Sequence, residues 1–97
     1  MTMGFQMANT VHDNPAQNRF EMDLGDSLAI AAYRSSPGVV TIYHTEVPPQ
    51  HGGQGLGTAL VRGVLDIVRA RNEKVQPRCP FVTAFIRKNP EYQDLVA

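Results

Sequence analysis

One cysteine stands among the 97 residues. A lone thiol closes no internal disulfide, and alone it cannot build a cysteine-based zinc site. That scarcity fits a reducing, cytoplasmic setting, and no metal is expected. An excess of charge is also missing. Nine basic residues face nine acidic ones, and the formal net charge is zero with the histidines neutral. A dedicated nucleic-acid binder carries a basic excess, so that class is excluded. The longest apolar stretches are broken by charge within a few residues, so no segment reads as a membrane span. The chain does not open on a charged stretch leading into an apolar one, as a secretory signal does. Internal repeats and low-complexity tracts are absent.

What is present is ordinary for a folded domain. Hydrophobic residues make up 42% of the chain, enough to exclude a disordered one. A chain of this length buries roughly 65% of the surface it exposes when unfolded, which allows one modest core. The charge is unevenly spread. Residues 1–50 hold two bases and five acids, whereas residues 51–97 hold seven bases and four acids. The positive half also carries a glycine cluster, which makes a small anionic ligand plausible there.

Residues 1–14 (MTMGFQMANTVHDN) show no sustained period. Residues 1–13 therefore read as a mobile N-terminal extension, and residues 14–97 as the domain. Arg19-Phe20-Glu21-Met22-Asp23-Leu24 alternates polar and apolar without a fault, which predicts a half-buried strand. Gly25-Asp26 suits a tight hairpin turn, and Ser27–Arg34 is the return strand with Leu28, Ile30 and Ala32 on one face. After a turn at Ser35-Ser36-Pro37-Gly38, the β-branched and aromatic run Val39–His44 predicts a third strand and completes an antiparallel meander. Pro48-Pro49 ends it. The period then becomes helical. Leu56, Leu60, Val64 and Ile67/Val68 share a face with Val61 and Leu65, which predicts a helix over about residues 56–72. Gly63 lies inside that helix, where close packing on the sheet would explain it. Lys74–Pro77 is expected to be a short strand parallel to the third. Pro80 opens a C-terminal helix that ends before Pro90, and Glu91–Val96 adds one further turn. The fold class is α+β.

Four glycines fill positions 52, 53, 55 and 57, between a strand and a helix N-terminus. Glycine lets the backbone approach a phosphate and adopt positive φ. The free N–H groups and the positive dipole end of the helix then bind the anion. Two familiar phosphate loops do not fit. A P-loop requires a lysine where none follows Gly57, and the dinucleotide fingerprint requires a glycine where Thr58 stands. The strands before the loop are also antiparallel, against a doubly wound sheet.

Val47 followed by Gly52-Gly53-Gln54-Gly55-Leu56-Gly57-Thr58-Ala59-Leu60 resembles the acyl-CoA loop of the GNAT acetyltransferase superfamily. Asn14-Pro15-Ala16-Gln17, His44-Thr45-Glu46-Val47-Pro48, Cys79-Pro80-Phe81-Val82 and Asn89-Pro90-Glu91-Tyr92 extend the resemblance to a short GNAT-like subfamily of roughly 95 residues. One departure is Gly52, which stands where the family pattern has Gln or Arg; Gln50 is out of register. The resemblance implies a compact GNAT-like fold whose third and fourth strand equivalents splay to admit pantetheine. It implies acetyl-CoA as co-substrate, held by Thr45, Glu46 and Val47 and by Gly52, Gly53, Gln54, Gly55, Leu56, Gly57 and Thr58. It further implies that two strands of larger members, which help to form the acceptor site, are not matched here.

Cys79 and His44 are the candidates for the acyl-transfer step. A Cys79 thiolate at a helix start could take the acetyl group and pass it on; alternatively Cys79 is an apolar packing residue. His44, at the end of the third strand, is a general base at the edge of the cleft or a packed or solvent-facing strand histidine. Glu46 is a second base candidate or a solvated carboxylate. His51 reads as an exposed loop residue, and His12 has no role. Larger GNAT enzymes often carry a tyrosine on the last helix that protonates the leaving thiolate. Phe85 falls at about that place, with Tyr92 the nearest hydroxyl in sequence. Arg78, Arg87 and Lys88 either neutralise the ligand's phosphates or form a solvated basic surface. The expected function is N-acyl transfer to a small amine or a protein amine, either directly or through a cysteine-assisted step. The alternative is a non-catalytic acetyl-CoA-binding module. Neither nucleic acid nor membrane is an expected partner. The protein is expected to be a monomer or a homodimer, since a short open sheet has exposed edges.

Overall fold

A computed structural model describes residues 10–97. Strands Val11–Asn14 (β1), Arg19–Asp23 (β2), Leu28–Ser36 (β3) and Val39–Glu46 (β4) run antiparallel in sequence order. Helix Leu56–Ala70 (α1) crosses to strand Lys74–Pro77 (β5), which joins β4 in parallel. Helix Pro80–Lys88 (α2) and a 3-10 turn at Pro90–Leu95 follow. The α+β architecture expected from the sequence is the observed one. Among the described residues no helix is long and apolar enough to cross a membrane.

The first strand is a correction. The expected extension covered residues 1–13, and residues 1–9 lie outside those described, but Val11–Asn14 pairs with β2 along its whole length. Its pattern is unreadable as amphipathic because the inward-facing Asp13 is polar. That carboxylate is satisfied on the inside: the Tyr33 hydroxyl donates to it at 2.7 Å and Arg71 at 2.9 Å. Gly63 is explained by the same strand. A Cβ there would meet Val11, whose own Cβ would stand 2.9 Å away. The helix carries glycine where β1 presses on it.

The core lies on one face of the sheet. Phe20, Met22, Ala29, Ala31, Tyr33, Val40, Ile42 and Val75 bury against Leu60, Val61, Val64, Leu65 and Val68 of α1. Full burial of such an aliphatic or aromatic side chain contributes roughly 1.5–3 kcal/mol. Val82, Phe85 and Ile86 of α2 close one end of the same core. Both helices therefore cover the same face. On the opposite face, Glu21 is nonetheless buried. It accepts hydrogen bonds from Arg19 at 2.7 Å and Asn14 at 3.0 Å, and it lies 3.2 Å from His12.

An irregularity in β4 positions everything that follows. Ala32 pairs with His44 but Tyr33 pairs with Ile42, so Tyr43 is an extra, bulged residue. A bulge shifts the alternation by one. Val40 and Ile42 point inward before it. After it, Thr45 shares a row with the buried Phe20 and Ala31. The sequence read a strand ending at His44; pairing in fact continues to Glu46, and β3 continues to Ser36 so that only Pro37-Gly38 turns.

Candidate functional site

β4 and β5 part company after four paired residues. The pairs run from Val39–Lys74 to Ile42–Pro77, and the Arg78 N–H to Ile42 carbonyl bond at 2.9 Å is the last rung. Proline at position 77 and again at position 80 limits further pairing on the β5 side. From Tyr43 onward the β5-facing edge of β4 has no strand beside it. Such an edge offers unpaired N–H and C=O groups.

Cys79 sits in the angle of this fork, as the N-cap residue of α2. It is buried, with its Sγ 3.6 Å from the Thr45 hydroxyl. Burial pushes the Cys79 thiol up, but hydrogen bonding by the Thr45 hydroxyl and by the backbone at Val82, Phe81 and Thr45 outweighs it, and the thiol is held below its ordinary range. The two sequence candidates Thr45 and Cys79 are thus brought together, 34 positions apart in the chain.

The glycine loop lies beside the fork. Gly53 and Gly55 take φ +79° and +73°, left-handed values that glycine adopts without strain. Gly55 caps α1 with no side chain, and the first intrahelical bond of that helix is Ala59 N–H to the Gly55 carbonyl at 3.1 Å. The amides of Leu56, Gly57 and Thr58 therefore have no acceptor within the helix. Gly52 differs. Its N–H donates to the Pro49 carbonyl at 3.0 Å, so it completes a turn instead of facing outward. The loop is pinned at both ends. His51 bonds Asp26 of the β2–β3 turn at 2.7 Å, which corrects its reading as an exposed loop residue. At the other end the Phe81 ring lies where a Gly57 side chain would be, 3.0 Å from a Cβ placed there.

Two cavities adjoin across Phe81 and Thr58. One, of about 290 Å³, is lined by Val47, His51 and the loop from Gly52 to Thr58. The other, of about 300 Å³, is lined by Arg62, Ala84, Phe85, Lys88 and Asn89 together with Thr58 and Phe81. They form a track from Val47, just beyond β4, over the free amides, to two cationic side chains.

His44 is not part of this cleft, and its reading as a base at the cleft edge is corrected. The bulge turns it to the opposite face of the sheet from Thr45 and Cys79, in the row of Ala32 and Arg19. There it is half exposed and 3.7 Å from Glu46, itself exposed. Phe85 is buried, tilted against Tyr92 at 5.8 Å between ring centroids. Tyr92 donates its hydroxyl to Asp66 at 2.8 Å, and burial together with that bond pulls its pKa up. No free phenol faces the fork from α2. The bulge and the Thr45–Cys79 contact carried no sequence signal, since one is an insertion in the ladder and the other a tertiary contact.

Residues 19–95 match the family model of the GCN5-related N-acetyl-transferases. The chain belongs to the GCN5-related N-acetyltransferase family. Members of that family use acetyl-CoA as co-substrate and an acceptor that takes the acyl group. A solution NMR structure of a GCN5-like candidate N-acetyltransferase from Staphylococcus aureus is similar to this acetyltransferase. Its TM-score is 0.69 at 29% sequence identity, covering 93% of this chain and 89% of that chain. No curated protein matches this acetyltransferase by sequence.

Proposed function

We propose that this acetyltransferase binds acetyl-CoA along the loop track and moves the acetyl group through Cys79 to an amine. The observation that carries the reading is the buried, acidified thiol in the strand fork, 3.6 Å from Thr45. The residues fit the co-substrate. Unpaired amides at Leu56, Gly57 and Thr58, with the left-handed Gly53 and Gly55, suit a pyrophosphate. The open edge of β4 at Thr45, Glu46 and Val47 suits the amides of a pantetheine arm. Arg62 and Lys88 line the far end, where the remaining phosphate would lie.

Cys79 then acts as nucleophile. Its thiolate attacks the thioester carbonyl, a new carbon–sulfur bond forms, and the bond to CoA breaks. CoA departs as a thiolate and takes a proton from solvent, so no phenolic acid is needed. The amine attacks the acetyl carbon, the Cys79 carbon–sulfur bond breaks, and the amine proton returns to the sulfur. Dipole and hydrogen bonds at the start of α2 favour the thiolate in both halves. Mixing the protein with acetyl-CoA and no acceptor should release one equivalent of free CoA, read by chromatography. Cys79→Ser should release none while still binding CoA in a calorimeter. A wild-type protein that binds acetyl-CoA but releases no CoA is the binding module, and the transfer reading fails.

A further inference from the structure

A cavity of about 450 Å³ lies on the face of the sheet that neither helix covers, lined by Arg34, Thr41, Tyr43, Gln76 and Arg78. Arg34, Thr41 and Gln76 form one cross-strand row, and Tyr43 and Arg78 stand above it at the fork. The last rung joins Arg78 to Ile42, the residue before Tyr43, so the cavity ends where the two strands separate. Cys79 follows Arg78 and points to the other face. The cavity and the thiol therefore lie on opposite faces of the sheet, both beside the fork.

The charges in the cavity are uncompensated. Arg19, Arg62, Arg69 and Arg71 each lie within 4.0 Å of a carboxylate oxygen. Among the described residues, neither Arg34 nor Arg78 has such a partner. Arg34 instead lies over the Tyr43 ring, 5.2 Å from its centroid. Stacking fixes the plane of a guanidinium and leaves its N–H edge free, the geometry that binds a carboxylate in a bidentate manner. Tyr43 is 47% exposed. It is in place to hold Arg34 because alternation after the inward Ile42 puts Thr41 and Tyr43 on this face of the sheet, beside Arg34. Thr41 and Gln76 add neutral polar groups below.

We propose that this cavity is the acceptor subsite and that it selects an amine carried by an acidic peptide, whose carboxylate is bound by Arg34 and Arg78. The inference rests on the Cys79 reading above. A lysine stem is thin and long enough to pass between forked strands while a neighbouring carboxylate stays on the open face.

The test uses two fluorescent peptides, each with one lysine, one with flanking aspartates and one with asparagines in their place. Anisotropy should show the acidic peptide binding at least tenfold more tightly, with an advantage that shrinks as salt rises. Arg34→Gln and Arg78→Gln should each lower that preference, and the double variant should abolish it. Both side chains lie at the surface, and circular dichroism verifies the fold. Equal binding of the two peptides, or a preference that survives the double variant, overturns the inference. So does acetylation of free aspartate or glutamate in preference to the acidic peptide. Formation of the acetyl adduct on wild-type Cys79, which requires no acceptor, reports separately on the reading beneath.

Discussion

At the residue scale, the glycine loop was legible in the sequence because its geometry lies in the backbone. A glycine cluster at the start of a helix permits positive φ and bare amides, and Gly53 and Gly55 have the expected geometry. Gly52 was not legible, since its N–H turns back to Pro49 through a local bond that composition does not encode. Gly55 offers a clean test. Asn and Asp both tolerate left-handed backbone, and a Cβ at Gly55 meets nothing within 4 Å. Gly55→Asn should keep most of the affinity for CoA, whereas Gly55→Asp should weaken it tenfold or more in calorimetry. Equal affinities would remove the loop from the phosphate site. Thr45 and Cys79 give a second test. The Thr45 hydroxyl stabilises the thiolate, so the charged form is favoured and the thiol ionises at lower pH. Iodoacetamide labelling should rise with pH through a midpoint below the ordinary cysteine range. Thr45→Val should raise that midpoint, because the hydrogen bond that favours the thiolate is lost. An unchanged midpoint would show that the contact does not tune the thiol. His44→Gln should leave the rate of CoA release unaltered, since the bulge holds that ring on the other face of the sheet.

At the scale of elements, the strands with alternating patterns and the helix with a 3.6-residue stripe were legible, and β1 and the bulge were not. Alternation in β2 and the stripe of α1 arise from burial on one face, which side-chain chemistry records directly. β1 is four residues long and places Asp13 inward, so its amphipathic pattern is hidden by a polar group that Tyr33 and Arg71 satisfy. Gly63 carries the trace of that strand in α1. Gly63→Ala would gain about 1 kcal/mol from helix propensity in an open site. Here the new methyl meets Val11, and overpacking of that kind costs typically 1–3 kcal/mol. Urea denaturation should therefore find Gly63→Ala less stable than wild type. Val11→Ala combined with Gly63→Ala should recover part of the loss. A more stable Gly63→Ala protein would mean that β1 does not press on the helix.

At the scale of the whole molecule, one sheet separates two kinds of surface. The covered face holds the core, the loop track and Cys79; the open face holds Arg34 and Arg78. The fork between β4 and β5 lies at the boundary of the two, and a sheet that stayed paired beyond Ile42 would close it. A ligand that binds the folded chain alone stabilises it by mass action, so CoA should raise the melting temperature. Dephospho-CoA should raise it less, and Lys88→Gln should remove most of that difference. The central claim is that Cys79 carries the acetyl group. Intact-protein mass spectrometry after incubation with acetyl-CoA, followed by peptide mapping at mildly acidic pH where thioesters survive, tests it most directly. The account predicts one added acetyl mass, located on Cys79 and absent from Cys79→Ser. A protein that remains unmodified, or an acetyl group found only on lysine, would contradict it.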